Sequence, residues 1–351
     1  SDQTESKLAS YSFSSIFQKY LFERKPSQGT VMEFNTVVRR FIAICGDKDI
    51  RRYSKKDIVH FKDVLLKYPK NLTQEDVKLT VDELFKKYEG KDYVRLSAKT
   101  IGTKYLALLG TIFRFAVNND YRTDNPVATV KVISEKQLEP SRLPFSLQQV
   151  KKITSSYVIT NPPDERHIEY KYVILLGIFT GARIEEICRL RNDDIGIENG
   201  INFIFIQPDL KRQHTLKTAS SRRRVPLHPK IMNDFDFKGY LKTVSGKEYV
   251  FPYINQGTII KGTISRPVSK WFGRFLNTIG LKDNRLTFHS FRHTFKAFGR
   301  VSGIEKSILD SIQGHKDNSV SLNYGRDEYG SAYSLETMFE AVMKISAFCE
   351  I

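Results

Sequence analysis

From Tyr11 to about Ile133, apolar residues recur every three or four positions in "SFSSIFQKYLFER", "TVMEFNTVVRRFIAIC", "KKDIVHFKDVLLKY", "TQEDVKLTVDELFKKY" and "LSAKTIGTKYLALLGTIFRFAVNNDY". That spacing covers one face of a helix, and it predicts a small all-helical domain over residues 1–133. The last helix is expected to stop at Asn125-Pro126, because a proline forces the residue before it out of helical geometry. The polar, unperiodic run "SEKQLEPSRLP" then reads as a linker, residues 134–143.

A second domain, residues 144–351, opens at "FSLQQVKKI", where Ser146 and Gln149 have capping-box spacing. The apolar helix "YKYVILLGIFTGARIEEICRLRNDDI" follows, broken in two at Gly181. The period then changes to that of strands in "INFIFIQ" and "RRRVPL", with the long loop "PDLKRQHTLKTASS" between them. Helices return from Pro229 to the end, interrupted by "KEYVFPYI". The fold class is therefore mainly α, with a small antiparallel β-sheet in the second domain. In the tail "SLETMFEAVMKISAFCEI", Leu335, Met338, Val342, Ile345 and Cys349 fall on one helical stripe, widened by Phe339 and Met343. Two dispositions fit that stripe: packing on its own domain, or docking on a neighbouring copy of the chain.

Composition narrows the function. Among 351 residues, 56 Lys and Arg face 39 Asp and Glu, a formal charge of +17. That excess is the electrostatic footprint of a polyanion binder, with nucleic acid as the leading partner. Cys45, Cys188 and Cys349 are too few and too scattered for a disulfide framework or a zinc cage. No run approaches the ~18 apolar residues of a membrane span, so no membrane partner is expected. "SDQTESKLAS" lacks the layout of a signal peptide, which points to the cytoplasm. The start at Ser1, without an initiator Met, is expected of a processed start or of a chain preceded by a further domain.

The stretch "TFHSFRHTFKAFGR" places His289, Arg292 and His293 at i, i+3 and i+4, on one helix face. A zinc-protease helix would need a glutamate where Ser290 stands, and no clustered third ligand is in view, so a metal is not expected. Three other segments carry groups suited to an anion: Arg183 with Glu186 in "GARIEEICRL", Lys217 in the long loop, and His315 in "IQGHKDNSVSLNYG". Arginine offers a planar fork that matches two phosphate oxygens and stays charged. The run holding Lys211, Arg212, Arg222, Arg223 and Arg224 has no acid within it and reads as a set of contacts to a DNA backbone.

In order and spacing, "TGARIEEICRLRNDDI", the lysine before "RRRVPL", "TFHSFRHTF" and "GHKDNSVSLNY" resemble the motifs of tyrosine site-specific recombinases, the phage integrase family. The resemblance implies that Arg183 and Arg292 grip the non-bridging oxygens of a scissile phosphate and that Glu186 supports Arg183. It also implies that Lys217 protonates the leaving 5′ oxygen, that His289 belongs to the His-x-x-Arg motif, and that His315 donates to the phosphate. Tyr324, nine residues after His315, would be the nucleophile that forms a 3′-phosphotyrosine. A tyrosine of pKa near ~10 attacks only where cations favour its phenolate or a base takes its proton. The arginines supply the first and His289 could supply the second. His293 and the neighbours Tyr329 and Tyr333 are assigned no chemistry, the two tyrosines lying in what reads as a loose connection to the tail.

The resemblance further implies a helical core-type DNA-binding domain ahead of the catalytic one. The partners are then double-stranded DNA at attachment or core sites, and three further protomers in a homo-tetramer on two such sites. Accessory DNA-bending or directionality factors are compatible with this. No cofactor is expected, the task is integration or excision of a mobile element, and the location is cytoplasmic, with the nucleoid. The alternatives are a type IB topoisomerase, which shares the chemistry, and a non-catalytic DNA-binding regulator.

Overall fold

A computed structural model describes residues 11–133, 142–208, 222–256, 263–315, 327 and 329–351. The chain divides into two compact units, residues 1–137 and 138–351.

In unit 1 the helices are α1 (Phe13–Arg24), α2 (Gln28–Cys45), α3 (Lys55–Leu66), α4 (Val81–Tyr88) and α5 (Ala107–Asn118). Each of the first four starts where a side chain accepts an otherwise orphaned backbone N–H. Ser12 and Ser27 cap α1 and α2, and Ser54 with Asp57 and Thr80 with Glu83 form capping boxes on α3 and α4. The apolar stripes meet in an aromatic core in which Phe41 packs on Phe13, Tyr53 and Phe61 at centroid separations of 4.8, 5.0 and 5.1 Å. A π-helical segment, Ile101–Leu106, leads into α5.

Two sequence expectations need correction here. "TQEDVKLTVDELFKKY" is a short 3-10 turn, Asp76–Lys78, followed by a separate α4. The buried Asp76 carboxylate draws donors from Thr73, Lys87 and Tyr88 and fixes that break. The last helix ends at Asn118, well before Asn125-Pro126. The stop is local: the Asn119 side chain donates to the Phe115 carbonyl, and Asp120 is left-handed at φ 56°. Asn125 instead ties the returning chain to α5 through the Gly110 carbonyl.

Unit 2 is built around α8 (Glu165–Thr180), which is buried along most of its length. Before it come α6 (Leu147–Thr154), with the Ser146–Gln149 capping box read from the sequence, and α7 (Tyr157–Thr160). Gly181 ends α8 in the left-handed region at φ 61°, and α9 (Ile184–Cys188) restarts the helix. The sheet is antiparallel in the order β1 (Ile195–Glu198), β2 (Ile201–Ile206), β3 (Arg223–Pro226). Ile195 lies opposite Ile204, and Ile204 opposite Val225. β1 was not expected as a strand, although Asn199-Gly200 holds both φ angles positive, at 50° and 78°. That pair is the signature of a two-residue hairpin turn.

Helices α10 (Pro229–Asn233), α11 (Phe237–Thr243), α12 (Arg266–Thr278), α13 (Ser290–Val301), α14 (Lys306–Gln313), α15 (Leu335–Met343) and α16 (Ser346–Cys349) complete the unit. The tail packs on its own domain. Leu335, Met338, Val342 and Ile345 are fully buried, and Phe348 lies 4.7 Å from Phe179 between ring centroids. The stripe that could have docked on another copy is thus spent within the chain, with Cys349 and Met343 on its exposed margin.

Candidate active site

The site starts from one buried carboxylate. Glu186, on α9, accepts from the backbone N–H of Arg183 (2.9 Å) and from its Nη1 (2.7 Å). Arg223, arriving on β3, donates Nη2 to Glu186 Oε2 (3.0 Å) and Nε to the Ile312 carbonyl near the end of α14 (2.7 Å). Three elements are thereby tied to one another. Burial would lift the Glu186 carboxyl, but the Arg223 and Arg183 guanidiniums hold it at about 2. It stays ionised at neutral pH, and two guanidiniums face one carboxylate, leaving positive charge in excess. Arg183 keeps a third of its side chain exposed. Gly314 allows the approach: left-handed at φ 64°, it passes so close that a Cβ would stand 2.7 Å from Arg223 Nη1.

Arg292, on the first turn of α13, is only 3% exposed. Its Nη1 donates to the Gly181 carbonyl (2.9 Å), its Nη2 to the Gln313 carbonyl (2.5 Å), and its Nε to His315 Nε2 (3.3 Å). Gln313 returns a bond from Nε2 to the Arg292 carbonyl (2.7 Å). The conformation of Gly181 matters here too, since a Cβ would stand 2.5 Å from Gln313 Nε2. Burial, then the positive charges of Arg183 and Arg223, push the Arg292 pKa down. An anion beside it would relieve that cost.

The two histidines of the motif are held neutral. His315 is pushed down to about 4, by burial first and then by Arg292. His289 is lowered by burial, then by His293, Arg292 and Arg183. His289 immediately precedes α13, and its ring meets that of His293 edge-on at 5.1 Å. A neutral imidazole can accept a proton near pH 7, as a general base must. His289, Arg292, His293, Lys296, Arg300 and His315 line a cleft of about 410 Å³. Its polar rim is rich in donors and cations, a lining suited to an anion. Among the described residues, no group of three or more His, Cys, Asp or Glu could hold a metal ion.

Of the residues expected from sequence, Arg183, Glu186, His289, Arg292 and His315 come together from three separate segments. Lys217 and Tyr324, with Lys211 and Arg212, lie outside the described residues. The expected surface place of Arg223 and Arg224 needs correction. Arg223 is 1% exposed and serves Glu186, while Arg224 is 6% exposed and binds Glu198 (2.8 Å) and Asp327 (2.9 Å). Two guanidiniums on one short strand each found a carboxylate, which a charge count along the chain does not reveal. Arg222 is exposed. Tyr329 is no loose connection either: its ring lies under Arg224, 4.0 Å from Cζ to centroid, and edge-on to Phe205. Tyr333 packs partly buried against the core. The sequence reading missed Gln313 and Asp310, both buried polar residues of α14. The spacing of Asp310 four residues after Lys306 was the available signal.

Fold and site together define a domain whose cleft gathers cations and donors suited to an anion. The profile of the phage integrase family matches residues 145–330, just over half of the chain. A tyrosine recombinase of Thermosipho africanus is 21% identical over 314 residues, covering 88% of this chain and 93% of its own. Tyrosine recombinase XerA of Pyrococcus furiosus is 27% identical over 191 residues, 53% of this chain and 59% of its own. Among solved structures, a lambda integrase dimer bound to a core site aligns with a TM-score of 0.57 at 18% identity, covering 90% of this chain and 95% of that one. The Tn1549 transposon integrase in complex with circular intermediate DNA aligns with a TM-score of 0.56 at 18% identity, covering 95% and 99%. These structures share the fold. The chain belongs to the phage integrase family, and it is a site-specific tyrosine recombinase, an enzyme that cuts and rejoins DNA strands. The topoisomerase and regulator readings gain no support from these likenesses. No helix among the described residues is long and apolar enough to cross a membrane.

Proposed function

We propose that this recombinase integrates or excises a mobile element through a 3′-phosphotyrosine on Tyr324. The observation that carries the reading is the gathering of Arg183, His289, Arg292 and His315 about one buried glutamate and one cationic cleft. Arg183 and Arg292 bind the non-bridging oxygens and offset the charge that builds on phosphorus in the transition state. Lys217 protonates the leaving 5′ oxygen, neutral His289 takes the phenolic proton, and His315 donates to the phosphate. The phosphodiester energy is kept in the covalent link, so the strand is rejoined without ATP.

Residues 1–133 act as a core-type DNA-binding domain, with residues 134–143 as the linker. The excess of basic residues favours duplex DNA. A tetramer on two DNA sites parallels one relative in fold, a lambda integrase tetramer bound to a Holliday junction. DNA-bending or directionality factors would act on that assembly, and duplex DNA as partner favours a location with the nucleoid in the cytoplasm.

The test is a pool of nicked duplexes randomised across their centre, on which cleavage traps the enzyme as a denaturant-resistant adduct. The wild-type chain is expected to form the adduct, and the recovered DNA then reports the site. Tyr324→Phe, lacking only the hydroxyl, should bind DNA but form none. An adduct formed by Tyr324→Phe and lost in Tyr329→Phe or Tyr333→Phe would move the nucleophile.

A further inference from the structure

His315 is wired on both sides. On the cleft side its Nε2 faces Arg292 Nε at 3.3 Å. On the other side its Nδ1 faces Asp310 Oδ1 at 3.0 Å and Lys296 Nζ at 3.4 Å. Arginine can only donate and a carboxylate can only accept. The free enzyme therefore carries the ring proton on Nδ1, given to Asp310, while Nε2 accepts from Arg292. That is the wrong way round for the role proposed above, since a phosphate oxygen can only accept and needs a proton on Nε2.

Two routes supply that proton. The ring could become a cation, with a proton on each nitrogen. The charged groups facing it among the described residues oppose this: Arg292 and Lys296 on α13 are positive. The one negative partner, Asp310 on α14, already serves Lys296 and, at 2.9 Å, Lys306. Burial and Arg292 accordingly disfavour the charged ring. On the second route the ring stays neutral. Water takes one proton from Nδ1 and gives another to Nε2, so the total is unchanged. The Nδ1 lone pair then faces the Asp310 carboxylate and needs a donor shared between the two acceptors, and Lys296, with three N–H groups of which Asp310 engages one, is placed to give it.

We infer that Lys296, together with Asp310, is a positioning residue that lets His315 move its ring proton from Nδ1 to Nε2 without gaining charge, so that the histidine accepts from Arg292 in the free enzyme and donates to the scissile phosphate in the occupied one. This rests on the site reading proposed above. Lys296 is suited to the task because its side chain lines the cleft yet its ammonium is anchored on a carboxylate 5% exposed.

The first measurement is the ¹⁵N spectrum of the full chain labelled at histidine, assigned through His315→Ala. The expected result is a proton on Nδ1 in the free protein and on Nε2 alone in the adduct trapped with a nicked duplex recovered from the pool. Both nitrogens protonated in the adduct at about pH 8, above the free imidazole range, would overturn the inference. The second is adduct formation from about pH 6 to about pH 9, which brackets that range. Lys296→Met removes the donor and forces the cationic route, so its rate should fall by about tenfold per pH unit in the upper part, as a single required proton dictates. Lys296→Arg, which can still donate, should follow the wild-type profile. Parallel profiles for wild type and Lys296→Met, with His315→Ala inactive, would overturn the role of Lys296 while leaving the site reading intact. An active His315→Ala would overturn both.

Discussion

Arg122 in unit 1 and Arg292 in unit 2 are both buried, 8% and 3% exposed, and both give two nitrogens to backbone carbonyls. Their surroundings differ in sign. Arg122 is balanced by Asp124 at 2.7 Å and lies over the Phe113 ring, 5.0 Å from Cζ to centroid. Arg292 has a histidine as its third partner and two more guanidiniums pressing on its charge. Burial of an arginine is therefore no mark of function in this chain. What separates the two is charge left unbalanced around a cleft, which an incoming anion can neutralise.

The largest effects should come from removing a guanidinium whose partner stays buried. Arg223→Met strands Glu186 with Arg183 alone, and breaking a buried pair in this way costs about 3–5 kcal/mol. Arg122→Met leaves the Ile50 and Tyr53 carbonyls without their donor, at about 1–3 kcal/mol each. Denaturant unfolding can separate these, because Trp271 is the only tryptophan and reports on unit 2, stacked on Phe275 at 5.2 Å. The Arg223 variant should shift the tryptophan transition and the Arg122 variant the remaining far-UV signal. The reverse assignment would erase the contrast between the two arginines.

A smaller effect should follow acidification. In unit 2, His228, His289 and His293 are lowered from the ordinary 6.5, and His315 to about 4, burial being the first cause in each. At these four groups the unfolded chain binds more protons than the folded one, so they cost stability as pH drops from 6.5 toward 4, against the opposite pull of one carboxyl, Glu169, which burial lifts to about 7. In unit 1 the single histidine, His60, is exposed. There the loss should wait for carboxylates such as Asp57, where Lys48 and Ser54 outweigh burial to hold the group at about 2, so it falls between about pH 3.8 and 2. Thermal melts followed by tryptophan fluorescence should therefore decline first, and a far-UV signal declining in step with it at pH 5 to 6 would contradict the assignment.

The smallest effect concerns glycine. Gly29, in the first turn of α2, has open space where a Cβ would go, and Gly29→Ala should raise the stability of unit 1 by about 0.5–1 kcal/mol. Gly181→Ala should destabilise unit 2, because the residue is left-handed and a Cβ would press on Gln313 and Phe295. The same unfolding curves decide both, and a stabilised Gly181→Ala would remove that glycine from the support of Arg292.

Much of the helical layout was legible because periodic apolar faces and capping residues act over four or five neighbours. Ser146 with Gln149 and the break at Gly181 are of this kind. The stop at Asn118 was not, because it depends on Asn119 bonding back one turn and on Asp120 adopting a left-handed conformation, which a downstream proline does not foretell. β1 escaped because its four residues alternate weakly and only the Asn199-Gly200 turn marks them. In the site, Arg183, Glu186, His289, Arg292 and His315 were legible from motif order. The burial of Arg223 and Arg224 was not, because nothing along the chain pairs Arg223 with Glu186 or Arg224 with Asp327.

By itself the sequence determined the class of the enzyme, the helical character of both units and the identities of the residues that meet at the site. These depend on local periodicity, on net charge and on motif order, all of which survive reading in one dimension. Only the tertiary structure decided which basic groups face the cleft and which are spent inside, where the tail packs, and which groups face each nitrogen of His315. Those outcomes depend on pairs distant in sequence, such as Arg223 with Glu186 and Lys296 with His315, whose energies arise only once folding has removed the water between them.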